Sequence, residues 1–335
     1  MSVQRSDVAI IGAGPVGLFA VFECGMLKLS CQVVDALDIA GGQCAALYPE
    51  KPIYDIPGHP RIGAMELIEK LQEQAAPFDP VYHLGQRVEA LTRVGEDWEL
   101  TTSTGAKLQA RAVIIAAGVG AFGPNRPPLA RLDEFEGRSV HYLVKRREDF
   151  RGKRVVIAGG GDSAVDWALS LADIARVMVV HRRDKFRAAP ESAARLKALA
   201  DAGTIEMVVP YQLDALDGAN GQIDAVIVKT LDGQARRLEA DALLAFFGLA
   251  MNLGPIASWG LNLERNHIVV DQATCATSAP GIFAIGDIAH YKAKLKLILS
   301  GFAEAASAAH AIFPLARPGE ALHFEYSTSK GVPAA

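Results

Sequence analysis

The sequence predicts an α/β protein made of two doubly wound Rossmann-like units, one inserted into the other. Three observations carry this. Two glycine turns, Gly12-Ala13-Gly14-Pro15-Val16-Gly17 and Gly159-Gly160-Gly161-Asp162-Ser163-Ala164, each follow a short apolar run and open a helical pattern. The strand after the first turn ends in Asp35, whereas the strand after the second ends in His181-Arg182-Arg183. A further apolar run close to the C-terminus stops at Gly286-Asp287, so signals of the first kind lie at both ends of the chain. At 335 residues the length suits two units of this size.

In the first unit, residues 7–11 (DVAII) read as a buried parallel strand, and helical spacing runs from Pro15 through Val16, Phe19, Ala20 and Leu27. Each glycine has its own task. Gly12 makes the tight turn, Gly14 lets a pyrophosphate approach the backbone, and Gly17 lets the helix pack on the strand. Such turns also occur for packing alone. The strand 31–35 adds the discriminating group, because Asp35 can accept hydrogen bonds from ribose hydroxyls and would repel a 2′-phosphate. The segment 277–287 reads as a short strand ending in Gly286-Asp287, followed by an alanine-rich helix over 299–313. Asp287 there can bind a ribityl hydroxyl, and the helix N-terminus can stabilise negative charge on a reduced flavin. Together these features point to FAD.

In the second unit, residues 154–158 read as a strand, the glycine turn follows, and residues 165–171 continue as a helix. The next strand, 177–180, runs into His181, Arg182 and Arg183, with Lys185 and Arg187 beyond, and no acid stands where Asp35 stands in the first unit. Guanidinium groups accept the dianionic 2′-phosphate through bidentate, charge-assisted bonds, so this unit is expected to prefer NADP(H). Gly159, Gly161, Asp162 and Ser163 are the expected phosphate loop, and His181, Arg182, Arg183 and Arg187 the expected 2′-phosphate end.

The order of these signals places an FAD-binding domain at 1–118 and 249–335 and an NADP-binding domain at 119–248. The apolar runs 113–118 and 242–248 read as returning strands, and crossings near Gly118 and Gly248 are expected to form a two-stranded hinge. A net charge of -4 gives no overall attraction to nucleic acid or to an anionic membrane. No run reaches the roughly 18 uninterrupted apolar residues of a membrane span. The four cysteines, Cys24, Cys31, Cys44 and Cys275, include no CxxC pair, which argues against a metal site or redox dithiol and for a cytoplasmic setting. His141, His181 and His290 lack a carboxylate partner readable from sequence, so no catalytic acid or base is assigned. Basic runs at 145–154 and at Lys292, Lys294 and Lys296 offer weak candidates for docking an acidic partner.

Two interleaved nucleotide units resemble the thioredoxin-reductase-like flavoprotein oxidoreductases over essentially the whole chain. Those reductases carry a CxxC just before the second glycine turn, where this sequence has His141-Tyr142-Leu143-Val144-Lys145. Gly41-Gly42-Gln43, residues 46–51 (ALYPEK) and residues 159–168 (GGGDSAVDWA) are similar to one branch, the ferredoxin (or flavodoxin):NADP reductases. The resemblance implies electron exchange between NADPH and ferredoxin or flavodoxin through FAD, in a homodimer. It further implies Asp35 on the adenosine ribose, Gln43 and Tyr48 near the flavin, Val88 at the adenine and Phe122 near the FAD site. Asp287 is implied on the ribityl chain and Thr328 near the flavin ring. Tyr48 is implied on one flavin face, and on the other either Tyr326, favoured by its register with Ser327-Thr328-Ser329, or His323. Other NADPH-dependent flavin enzymes, such as a monooxygenase, and a non-catalytic nucleotide-binding module are the competing readings.

Overall fold

The computed structural model describes residues 3–322 and residue 331, and only the backbone of residues 121–124 and 249–251. The chain divides into two compact units, Met1–Phe122 with Met251–Ala335, and Gly123–Ala250.

The first unit is built on a mainly parallel sheet. Its central strand, Gln4–Ile11, lies between Cys31–Val34 and Lys107–Ile115, with Val81–His83 beyond Cys31–Val34. Alternate side chains of the central strand feed two different clusters. Val8 and Ile10 pack with Leu18, Val21, Ile68 and Ile312, whereas Ala9 and Ile11 pack with Val88, Leu100 and Ile268. Only its second half, Val8–Ile11, is buried, and a segment covered on both faces needs an uninterrupted apolar run, which is why these four residues do not alternate with polar ones. Truncating the fully buried Ile10 to alanine would cost about 2–5 kcal/mol.

Lys107–Ile115 changes partners along its length. Its first half pairs antiparallel with Asp97–Thr102, which in turn pairs with Val88–Val94, and its last three residues pair parallel with Ile282–Ala284. That last pairing brings the C-terminal part of the chain to the same end of the sheet as the first glycine turn. The expected strand over 277–287 is therefore shorter than read from sequence, because Gly286–Ile288 already turns as a 3-10 helix. The following helix, Ile298–Ala316, is apolar and long enough by composition to cross a membrane. It instead lies along Pro15–Met26 as a core helix and carries the buried Glu304.

The second unit has a five-stranded parallel sheet in the order Val140–His141, Ala242–Ala245, Arg154–Ala158, Arg176–Val180, Ile205–Val208. Its central strand repeats the two-sided pattern: Val156 and Ala158 enter one cluster, Val155 and Ile157 the other. A three-stranded antiparallel sheet, Gln212–Ala219, Gln222–Lys229 and Ala235–Glu239, covers one side. The two chain crossings, Ala121–Pro124 and Leu249–Asn252, pair as a two-stranded ribbon.

Candidate functional sites

The first unit holds a cavity of about 360 Å³ at the C-terminal ends of its parallel strands, where open α/β sheets receive ligands. Gly12 turns the chain at φ 112°, and a Cβ there would stand 2.4 Å from the Ala116 carbonyl oxygen. Gly17 does not line the cavity; a Cβ on it would meet the Gly12 carbonyl oxygen at 1.9 Å, so its task is helix-on-strand packing. The helix Pro15–Met26 opens with Gly14 extended, with proline in its first turn and no side-chain cap. Its first amide groups are thus left for an external acceptor. Gly42 faces Gly14 so closely that a Cβ on Gly42 would meet the Gly14 Cα at 3.0 Å, while one on Gly14 would reach nothing nearer than 4.0 Å. Two facing bare backbones form a slot that a side chain would fill.

Asp35 stands at one end of this slot. Its Oδ2 accepts the Ala13 N–H at 2.6 Å and its Oδ1 accepts the Leu37 N–H at 2.8 Å. Burial raises its pKa, against the lowering effect of those two backbone donors. Val88 and Trp259 line the same cavity as Asp35, and the buried Trp259 indole N–H has no hydrogen-bond partner among the described residues. Gln43, Cys44, Tyr48 and Asp287 line it too, as do Leu297 and Ile298 at the start of the long helix. Burial first, then Cys44 and Asp287, raise the Tyr48 pKa, so its hydroxyl stays protonated. Burial likewise pushes the Cys44 thiol up to about 11. All four cysteines are buried and free.

The second unit has its own cavity, about 940 Å³, lined by Gly159, Gly160, Gly161, His181, Arg182, Arg183, Lys185 and Arg187. Gly161 opens the helix Asp162–Leu171 uncapped, and a Cβ on it would meet nothing within 4 Å. Arg187 is brought to this turn by its backbone, whose N–H donates to the Gly160 carbonyl at 2.6 Å. The His181 ring lies against the Gly160 backbone and tilts onto Phe186, with centroids 5.0 Å apart. Burial, reinforced by the charges of Arg182, Arg183 and Arg187, holds its pKa below the usual histidine range. Arg182, Arg183, Lys185 and Arg187 form no ion pair among the described residues. The arginines of the 145–154 run differ: Arg146 pairs with Asp149 at 2.7 Å, Arg147 with Asp173, Arg151 with Glu148 and Arg154 with Asp241. Among the described residues the four arginines of the longer run are thus paired with carboxylates, whereas the arginines at the glycine turn are not.

Some expected residues are placed elsewhere. Asp162 and Ser163 do not line the second cavity, and the Asp162 carboxylate accepts the Ala189 N–H at 2.9 Å. The side chain of Phe122, and His323, Tyr326 and Thr328 entirely, lie outside the described residues. Among the three histidines, His290 does meet a carboxylate, Glu264, at 3.5 Å, but away from either cavity. Sequence reasoning missed Trp259, because nothing local marks the 3-10 turn Gly254–Ser258 that delivers it. It also missed Glu304, whose place under the Gly286-Asp287 turn depends on how the long helix docks. No group of His, Cys, Asp and Glu among the described residues is placed to hold a metal ion.

Comparison with known proteins shows the family and the fold. A protein called ferredoxin--NADP reductase from Paramagnetospirillum magneticum is 64% identical, with 99% of each chain covered. One of the same name from Rhodospirillum rubrum is 66% identical, covering 98% of this chain and 97% of that one. Thioredoxin reductase from T. acidophilum superposes with a TM-score of 0.81 at 23% identity, over 92% of this chain and 98% of its own, which shows a common fold. Residues 6–311 match the model of one family across both glycine turns, and the chain belongs to it: the pyridine nucleotide-disulphide oxidoreductases.

Proposed function

We propose that this chain is a ferredoxin (or flavodoxin):NADP reductase that exchanges electrons between NADPH and the carrier protein through FAD. The observation that carries the reading is the opposite charge at the far ends of two glycine turns, Asp35 in one cavity and Arg182, Arg183 and Arg187 in the other. The high identity to proteins of that name supports the same activity. On this reading the FAD domain is the unit that contains both chain ends, and the NADP domain is the inserted one.

The first cavity fits FAD on its own geometry. The Gly14/Gly42 slot with an uncapped helix start suits a pyrophosphate, and Asp35 retains lone pairs for ribose hydroxyls. Val88 and Trp259 would flank the adenine, while Gln43, Tyr48, Asp287 and the Ile298 helix start would surround the ribityl chain and ring. Bound FAD supplies two-electron hydride acceptance from NADPH and one-electron transfer to the carrier, which no side chain can supply. In the second cavity, Gly159 and Gly161 would approach the NADP pyrophosphate, and the unpaired arginines would take the 2′-phosphate.

The chain's own contribution is placement and charge. No dithiol is available near the flavin site: Cys44 is the one cysteine lining it, and its thiol stays protonated near neutral pH. Electrons would leave directly for an external carrier. A homodimer and a cytoplasmic setting go with this reading, the former checked by sedimentation. Stopped-flow mixing with NADPH or NADH, followed by ferredoxin or flavodoxin, tests the function. Fast flavin bleaching by NADPH and reoxidation by the carrier are expected; bleaching without carrier reduction would overturn it.

A further inference from the structure

Beneath the Gly286-Asp287 turn lies a buried charged cluster that the electron-exchange chemistry does not use. Glu304 sits on the inner face of the helix Ile298–Ala316, with its side chain 6% exposed, and Lys294 beside it is 3% exposed. One Glu304 carboxylate oxygen, Oε2, accepts the Gly286 N–H at 2.7 Å. The other, Oε1, accepts the Tyr291 hydroxyl at 2.7 Å and the Lys294 ammonium. The Lys294 ammonium also lies 5.4 Å from the centre of the Tyr291 ring. Both carboxylate oxygens are thus committed to donors from the single segment 286–294.

That segment and that helix reach the same cavity by different routes. Asp287 lines it from the turn, and Ile298 lines it from the helix start. Gly286 holds φ 74°, so the turn leaves the strand Ile282–Ala284 abruptly, and the Gly286 N–H is the group through which Glu304 fixes it. Replacing a buried ion pair by apolar side chains of similar volume is often neutral for stability, so folding alone gives no reason for a lysine and a glutamate here. A fully satisfied polar network instead fixes one arrangement of the groups it joins.

We infer that Glu304, charge-balanced by Lys294, is a positioning residue that sets Asp287 and the N-terminus of the helix Ile298–Ala316 at a fixed spacing before FAD binds. This rests on the proposed FAD site. Glu304 does not touch the cofactor; it acts through Gly286 and Asp287. Lys294 neutralises the buried carboxylate, so the cluster adds position without adding net charge beside the flavin.

The test begins with FAD titration of deflavinated wild-type protein, where absence of binding would sink the FAD reading itself. Given binding, a double-mutant cycle crosses Asp287→Asn with the paired change Lys294→Met/Glu304→Leu, reading FAD affinity, the visible flavin spectrum and the melting temperature of the apoprotein. The paired change is expected to weaken FAD about tenfold and shift the flavin bands, with Asp287→Asn adding little further loss. Lys294→Met/Glu304→Gln, which keeps an acceptor for the Gly286 N–H, is expected to restore affinity. Additive losses, or no rescue by glutamine, would overturn the role. A second arm needs no variant: hydrogen exchange across 285–291 in the wild-type apoprotein. Protection already present before FAD is added supports positioning by Glu304. Protection that appears only with FAD would show that the cofactor orders the turn and would refute the inference.

Discussion

The Ala13 backbone N–H donates to the Asp35 carboxylate at 2.6 Å, joining the glycine turn of the first unit to the acid at the end of its second strand. The two halves of the nucleotide motif are therefore one hydrogen-bonded object. The remaining carboxylate oxygen is held by the Leu37 N–H, so Asp35 accepts on both sides.

Asp35→Asn should accordingly damage more than ribose recognition. An amide in this place turns one of its ends into a donor facing a backbone N–H, which costs about 1–3 kcal/mol for the group left unmatched. FAD affinity should fall by roughly tenfold or more. The pH dependence separates the two effects. Burial raises the Asp35 pKa above its unfolded value, so its contribution to apoprotein stability is full at low pH and is lost as pH rises through the raised value. Wild-type minus D35N melting temperatures, followed from the ordinary carboxylate range upward, should decline through that window. A flat difference would mean that the carboxylate is not desolvated.

At the second site, Arg182→Ala and Arg183→Ala should each raise the NADPH KM by about tenfold while leaving the NADH KM unchanged, as expected for the loss of a charge-assisted phosphate contact. These guanidinium groups form no ion pair with a described residue, so their removal strands no carboxylate and should leave the melting temperature in place. Steady-state kinetics with both dinucleotides decides. An equal loss with NADPH and NADH would place the arginines away from the 2′-phosphate.

Much of this site is legible in the sequence because strand, glycine turn, helix and second strand follow one another over about 30 residues. The fold then has little choice about where Gly14, Asp35, Gly161 or Arg183 stand. What the sequence hides depends on packing between distant segments. Gly42 becomes part of the slot only because the Gly41 N–H bonds to the Ala13 carbonyl at 2.8 Å. Trp259 and Glu304 arrive on elements whose register nothing local announces. The basic run 145–154 looks like a docking surface until Asp173 and Asp241 come into place beside Arg147 and Arg154. Charge counted along a chain ignores partners that only folding supplies.

Those pairings lead to a prediction about the carrier protein. Arg146 and Arg151 are each paired with an exposed carboxylate three residues away, an arrangement worth about 0–1 kcal/mol to stability and nearly neutral to an approaching partner. R146A and R151A should therefore change kcat/KM for carrier reduction by less than about twofold. The slope of that rate against ionic strength should also match wild type. A steep loss in either variant would return this run to the docking surface.

The last prediction concerns the cysteines. Cys44 lines the same cavity as Gln43 and Asp287, close enough to the proposed flavin site to raise the question of a thiol that carries electrons. Burial lifts its pKa to about 11, so between pH 7 and 9 almost none is the reactive thiolate, and no second cysteine lines the cavity to complete a dithiol. Iodoacetamide at pH 8 should leave the folded holoenzyme fully active. Cys44→Ser should keep both FAD binding and carrier reduction. If that variant were still reduced by NADPH but could no longer pass electrons to the carrier, Cys44 would have to lie on the electron path, and direct exit from the flavin would be wrong.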